Sequence, residues 1–214
     1  EYIKDMGTPK RLSKVERDIN SGKVKSLKKQ TPKMAIFLDR DGTINQEVNH
    51  LSSQDQVELH DGVGEAICQI NAAGILAVIV TNQPVIARGE LEESELKVIH
   101  NKMDTLLGSQ GAYIDRLYYC PHHTDSGFEG EVEALKFDCD CRKPKIGLFT
   151  QAKKDLNIIL EKSWVVGDST RDILAAQNAG MKSILVETGH AGKDCSFEVN
   201  PDFIAKDLNE AVQL

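Results

Sequence analysis

From residue 34 onward the sequence predicts an α/β fold, a three-layer, Rossmann-like parallel sheet with helices on both faces. Three observations lead there. Short apolar runs alternate with stretches of helical period, as in βαβ units joined by right-handed crossovers. The runs 34–38 and 75–80 are apolar throughout, as strands buried on both sides are. Each run stops abruptly at polar residues, Asp39 and Asp41 after the first, Thr81 and Asn82 after the second, so chemistry-capable groups collect at carboxyl ends of strands, where open α/β sheets hold ligands.

In chain order, residues 1–33 form a polar, Lys-rich helical or linker extension with no strand pattern, and 34–214 form the main domain. Residues 34–38 are the first strand. Residues 61–73 read as a helix, with Asp61 placed as its N-cap and Gly74 as its stop. The second strand covers 75–80. An amphipathic helix spans 92–107, where Leu96, Ile99, Met103 and Leu106/Leu107 recur at three- and four-residue spacing. Residues 117–119 are a short strand running into a Cys/His region. Then come a helix over 148–156, a strand over 163–166, a helix over 172–179 ended by Gly180, a strand over 183–186, and a last strand-helix pair over 203–204 and 208–212.

At 214 residues, 40% apolar and 28% charged, the chain suits one globular domain with a short appendage. No apolar run approaches the roughly 20 residues needed to span a bilayer, and no signal peptide opens the sequence, so the expectation is a soluble cytoplasmic protein without a membrane partner. The net charge of −7 divides unevenly: residues 1–33 carry ten Lys or Arg against four acids, a net of +6, leaving −13 for the remainder. So acidic a body argues against nucleic acid as a partner, and the basic segment reads as a solvated linker or an electrostatic contact. Five Cys, three of them between residues 120 and 141, point to a metal before disulfides.

Two carboxylates two residues apart, Asp39 and Asp41, can share one hard cation and divide a reaction, one attacking and one moving protons. The same four residues, Asp39 to Gly42, also describe an ordinary acidic turn. What separates the readings is company. Thr81 can donate its hydroxyl to a phosphoryl oxygen, Lys143 supplies a compact positive charge, and Asp168, after the run 164–166, adds a carboxylate. Asp172 is either a carboxylate supporting that site or a first-turn residue stabilised by the helix dipole. Cys120-Pro121-His122-His123 and Cys139-Asp140-Cys141 offer three thiolates and one imidazole, from His122 or His123, a closed tetrahedral set for structural Zn²⁺. Fixing Cys141 would also fix Arg142 and Lys143 beside it.

The nonapeptide Phe37-Leu38-Asp39-Arg40-Asp41-Gly42-Thr43-Ile44-Asn45, with Thr81, Lys143-Pro144 and Gly167-Asp168 in order behind it, resembles the motifs of the haloacid dehalogenase superfamily of phosphohydrolases. With Thr-Asn-Gln-x-x-Ile-Ala-Arg-Gly at 81–89, Tyr-Tyr-Cys-Pro-His-His at 118–123 and Cys-x-Cys-Arg-Lys-Pro at 139–144, the sequence is similar over about 34–210 to the D-glycero-D-manno-heptose 1,7-bisphosphate 7-phosphatase group, whose near relatives are histidinol-phosphate phosphatases. The resemblance implies a haloacid dehalogenase-like fold with no large cap domain and a zinc-binding loop insertion. It implies Asp39 as nucleophile, Asp41 as acid–base, and Mg²⁺ on Asp39, the Asp41 carbonyl and Asp168. It implies Zn²⁺ on Cys120, His122, Cys139 and Cys141. Glu47 to His50 face the substrate, a small phosphorylated sugar; Thr81, Asn82, Gln83 and Pro84 line the phosphate site; and Arg142 helps select the substrate.

Two departures touch selection more than chemistry: Pro84 stands where relatives carry a small residue such as Ser, and the loop between His122 and Cys139 is long. Arg88 is open between the site and a solvated surface. Asp5-x-Gly7-Thr8-Pro9 before an amphipathic stretch resembles the closing segment of sugar-phosphate nucleotidyltransferases, which would make the chain part of a two-enzyme polypeptide; an unremarkable extension is the alternative. Two functional alternatives stand beside heptose bisphosphate hydrolysis: histidinol-phosphate hydrolysis, and a catalytically silent zinc-bearing interaction domain, against which the full set Asp39, Asp41, Thr81, Lys143 and Asp168 argues.

Overall fold

Phe37 is fully buried on one face of a central strand and Leu38 on the other, which is why this run shows no alternation of apolar and polar residues. That strand is β1 (Ala35–Leu38). In the computed structural model, which describes residues 2–28 and 30–214, it is joined by β2 (Leu76–Asn82), β3 (Arg116–Cys120), β4 (Trp164–Gly167), β5 (Lys182–Val186) and β6 (Phe203–Ala205). All pairings are parallel, in the order β3-β2-β1-β4-β5-β6. The order reverses direction between β1 and β4, so their carboxyl ends border the crevice of a topological switch point. Glu1 and Lys29, two residues of the basic segment, lie outside the described residues.

One face of the sheet is covered by α3 (Val63–Ala72), α4 (Glu93–Ser109) and α7 (Leu208–Ala211), which bury Ile67, Leu96, Ile99, Met103 and Leu208 against it. The other carries α5 (Gly147–Leu156) and α6 (Thr170–Asn178), where Phe149 meets Phe37 edge to face at 5.0 Å and 82°. Burying each such side chain contributes about 1.5–3 kcal/mol. Between β1 and α3 there is one 3-10 turn, Gln54–Gln56, and no inserted domain among the described residues, so the crevice is roofed only by loops.

Some boundaries differ from the sequence reading. Asp61 does not cap α3; Gly62 occupies the N-cap with φ 75°, a left-handed value a side chain would oppose, and no side chain caps the helix. The strand predicted over 75–80 continues through Thr81 and Asn82, paired with Tyr119 and Cys120. The helix predicted from Asp172 begins at Thr170, because Asp172 folds back as its capping partner: Ser169 N and Oγ both donate to Asp172 Oδ2, at 3.2 and 2.8 Å. Gly74 and Gly180 end α3 and α6 in left-handed conformations, as predicted.

Ahead of the sheet lie α1 (Pro9–Asn20) and α2 (Lys23–Ser26). Thr8 accepts from Arg11 N and Pro9 opens the helix, so Thr8-Pro9 has a local structural role. Lys33 then pairs with residues 157–159, tying the segment to the body. Among the described residues no helix is long and apolar enough to cross a membrane.

Candidate active site

The floor of the crevice is an electrostatic knot. Lys143, 3% exposed, lies with its Nζ 3.0 Å from Asp39 Oδ1 and 2.6 Å from Asp172 Oδ1, and it donates to the Val80 carbonyl at 2.7 Å, using all three ammonium protons. Asp168, 1% exposed, accepts from His190 N at 2.6 Å. Carboxylate oxygens of Asp39, Asp168 and Asp172 lie within 4.8 Å of one another. Two buried acids and a third, Asp39, that is partly buried thus face one ammonium, and the imbalance is visible in their acidity. Burial, only partly opposed by Lys143, pushes Asp39 up to about 6. Burial and then the neighbouring Asp39 and Asp172 push Asp168 up to about 8. Lys143 is raised: burial works against its charge, and Asp172 and Asp39 outweigh it.

This donor set fits a hard divalent cation. Asp172 spends Oδ2 on the helix cap and Oδ1 on Lys143, whereas Asp39 Oδ2 and Asp168 Oδ1 have no hydrogen bond among the described residues. The loops close tightly round Asp168: a Cβ on either Gly42 or Gly189 would lie 2.2 Å from its Oδ2, and both glycines have positive φ. Thr188 Oγ1 donates to the Gly42 carbonyl at 2.6 Å, joining the loop after β5 to the turn after β1.

Asp41 is held differently. Arg40 Nε and Nη2 donate to its two oxygens at 2.9 and 2.7 Å, and Asn45 and Gln83 add further donors at 2.9 and 3.0 Å. Burial alone would raise its pKa, but Arg40 and these hydrogen bonds hold Asp41 below the usual carboxylate range. Gln83 also donates to Thr81 Oγ1 at 2.9 Å, which leaves the buried Thr81 hydroxyl proton free to point elsewhere.

Above this floor opens a cavity of about 400 Å³ whose wall includes Asp41, Glu47, His50, Asn82, Gln83, Pro84 and Arg142. It also includes groups the sequence reading did not select: Arg171, His123 and His190. Arg88, left open before, belongs to the wall as well; it bridges His50 Nε2 at 2.7 Å and His123 Nε2 at 3.1 Å and lies 4.7 Å from the Phe128 ring centroid. Burial and then the adjacent guanidiniums of Arg171 and Arg88 lower Arg142. None of these three arginines has a carboxylate partner among the described residues. Asn49 and His50 both adopt positive φ without being glycine, at 45° and 71°.

Beside the cavity, sulfur atoms of Cys120, Cys139 and Cys141 and Nδ1 of His122 form one cluster with neighbouring separations of 3.1–3.6 Å. Zinc–sulfur bonds of about 2.3 Å imply tetrahedral edges near 3.8 Å, a little longer than these separations, so the four atoms converge on one point and a small outward shift would seat such an ion. His123 turns away, towards Arg88. Arg142 Nη1 donates to the His122 carbonyl at 3.1 Å, so the cluster and the cavity wall share a strut. Asn82 grips the Lys143 backbone from β2, its Oδ1 accepting from Lys143 N at 3.0 Å. Cys195 is exposed and Cys68 lies at the edge of the core, both apart from this cluster.

Of the unselected residues, Gly189 and His190 follow a strand as Thr81 does, and that signal was present. Arg40, Arg171 and His123 lie within or beside recognised motifs, but nothing local distinguishes a cavity-facing arginine from a solvated one.

Comparison with known proteins agrees with this architecture. A family model described as HAD-hydrolase-like matches residues 140–211. The D-glycero-β-D-manno-heptose-1,7-bisphosphate 7-phosphatase of Pasteurella multocida (strain Pm70) is 47% identical over 158 residues, 73% of this chain and 83% of that protein. Its counterpart in Escherichia coli (strain K12) is 41% identical over 157 residues, 72% and 80% of the two chains. The crystal structure of D,D-heptose 1,7-bisphosphate phosphatase from B. bronchiseptica, complexed with magnesium and phosphate, superposes with a TM-score of 0.73 at 32% identity, covering 84% of this chain and 97% of that one. On the strength of this identity and coverage, the chain belongs to the D-glycero-D-manno-heptose-1,7-bisphosphate 7-phosphatase family of haloacid dehalogenase-like hydrolases.

Proposed function

We propose that the chain is a phosphomonoesterase that removes the 7-phosphate of D-glycero-β-D-manno-heptose 1,7-bisphosphate, a step in building nucleotide-activated heptose for surface polysaccharide. The observation that carries this reading is one cavity whose wall joins Asp41, two residues from the nucleophile Asp39, to three arginines without carboxylate partners, electrostatics that suit a substrate with two phosphates. The anomer is taken from the relatives' names.

Asp39, Asp168 and the Asp41 carbonyl would hold Mg²⁺, which when bound supplies the positive charge that lets an anionic nucleophile meet an anionic phosphate. Asp39 attacks phosphorus and becomes an aspartyl-phosphate. Asp41 gives a proton to the departing sugar oxygen, then takes one from the water that hydrolyses the intermediate. Lys143 and Thr81 stabilise charge on the phosphoryl oxygens. Arg142, with Arg88 and Arg171, holds the second phosphate, while Glu47 and His50 meet sugar hydroxyls. Cys120, His122, Cys139 and Cys141 would hold a structural Zn²⁺ that keeps Arg142 and Lys143 in place. Residues 1–33 we read as the end of a fused sugar-phosphate nucleotidyltransferase, on the Asp5-x-Gly7-Thr8-Pro9 likeness.

Phosphate release from the α- and β-bisphosphates and from histidinol phosphate, each with Mg²⁺, tests the assignment. The β-bisphosphate is expected to have the highest kcat/KM; histidinol phosphate as the best substrate would sink it.

A further inference from the structure

Behind Asp41 stands a guanidinium that the reaction as described leaves unused. Arg40 is 1% exposed, and each of its three nitrogens has a partner: Nε and Nη2 the two oxygens of Asp41, Nη1 the Nε2 of His100 on α4 at 3.2 Å. A guanidinium only donates, so His100 Nε2 is the acceptor and its ring proton sits on Nδ1. Burial, reinforced by the Arg40 charge, keeps that imidazole neutral, pushed down to about 4. The side chain is thus fixed from both ends, with Asp41 in front and α4 behind.

We propose that Arg40, braced by His100, is a positioning residue for the acid–base step: it sets the plane of the Asp41 carboxylate, so that proton transfer there has one fixed geometry. The inference rests on the reading of Asp41 as the acid–base. In the first half-reaction the bond from Asp39 to phosphorus forms and the bond from phosphorus to the sugar oxygen breaks. The electron pair stays on that oxygen, which takes the Asp41 proton. The carboxylate left behind is the species that Arg40 grips here through two bonds; a protonated Asp41 would offer it a weaker partner. Holding that carboxylate in one orientation is what a proton transfer between fixed atoms requires. In the second half-reaction the same carboxylate takes a proton from water as the water oxygen bonds to phosphorus and Asp39 departs with its electron pair.

p-Nitrophenyl phosphate separates this role from a structural one, because p-nitrophenolate leaves without a proton. For R40K we expect kcat on the sugar bisphosphate to fall about 100-fold, with KM and the first-turnover release of p-nitrophenol both within about 3-fold. H100L should show the same pattern at about 10-fold, and H100Q, whose Oε1 can accept from Arg40, should recover most of the loss. Equal loss on both substrates, a rise in KM alone, or wild-type kinetics would overturn the proposal. If R40K does not fold, the H100L and H100Q pair decides by the same criteria. D41N separates the two layers. Full sugar bisphosphate turnover in D41N would refute the acid–base reading itself. Loss in D41N with wild-type kinetics in R40K and H100L would refute only this inference.

Discussion

Asp39 and Asp41 are two residues apart and equally buried, yet the protein drives their acidity in opposite directions. Asp39 faces Asp172 and Asp168 with one shared ammonium, while Asp41 has a guanidinium to itself and two amide donors besides. Pairs of carboxylates with divergent environments divide roles, but in the metal-free chain the acidities run opposite to a nucleophile beside an acid–base, so a cation on Asp39 and Asp168 has to bring Asp39 down before it can attack. D39N is expected to lower phosphate release from the sugar bisphosphate by at least about 10⁴-fold without lowering Tm, since it removes a repelled charge rather than a packed one. At the cavity wall, R142A and R171A should each raise KM for the bisphosphate by about 10- to 100-fold, the worth of a lost charged hydrogen bond. KM for a monophosphate of the same sugar should hardly move, and steady-state kinetics on the two substrates reads the difference.

At the scale of elements, the site is a meeting of strand ends held by loops that do little else. β1 delivers Asp39, β2 delivers Thr81 and Asn82, β4 delivers Asp168, and the loop after β5 closes over Asp168 through Gly189 and His190. Lys143 alone arrives from no strand. It comes from the segment after the Cys/His cluster and is held by Asn82 through its backbone and by Cys141 two residues before it. Removing zinc with a chelator, or replacing Cys141 with Ser, should therefore lower Tm and kcat together even with Mg²⁺ restored, because a loosened cluster releases Lys143 from Asp39. Differential scanning calorimetry beside turnover measurements would show the coupling; a drop in Tm at unchanged kcat would mean the cluster supports the loop but not the chemistry. The segments also show where sequence reading fails at this scale. The capping pair Ser169–Asp172 satisfies a known pattern, yet the sequence leaves Asp172 between a carboxylate supporting the site and a first-turn residue stabilised by the helix dipole; in the fold one oxygen caps the helix and the other meets Lys143.

Across the whole molecule, most acids face solvent, and Asp39, Asp168 and Asp172 are gathered in the poorly solvated floor of the crevice. Mg²⁺ that binds the folded chain and not the unfolded one should raise the stability, and Tm with it, logarithmically with its concentration, by about 2.7 kcal/mol at a hundredfold excess over Kd. D168N should raise the Tm of the metal-free protein by relieving repulsion and should abolish most of the Mg²⁺-dependent increment, both measurable by thermal unfolding. The sequence by itself determined the βαβ order, the identity of the polar strand ends, the Cys/His cluster and the family, because each is written in neighbours along the chain: apolar period, an abrupt stop, ligand spacing. Only the tertiary structure decided that Arg88, Arg142 and Arg171 share one cavity, that His100 backs Arg40, that Asp61 gives way to Gly62 at the head of α3, and that Gly189 packs on Asp168. Apart from the local cap at Gly62, those contacts join residues tens of positions apart across crossovers whose strand order no local pattern specifies, and a charged side chain has the same sequence signature whether the fold turns it to a ligand or to water.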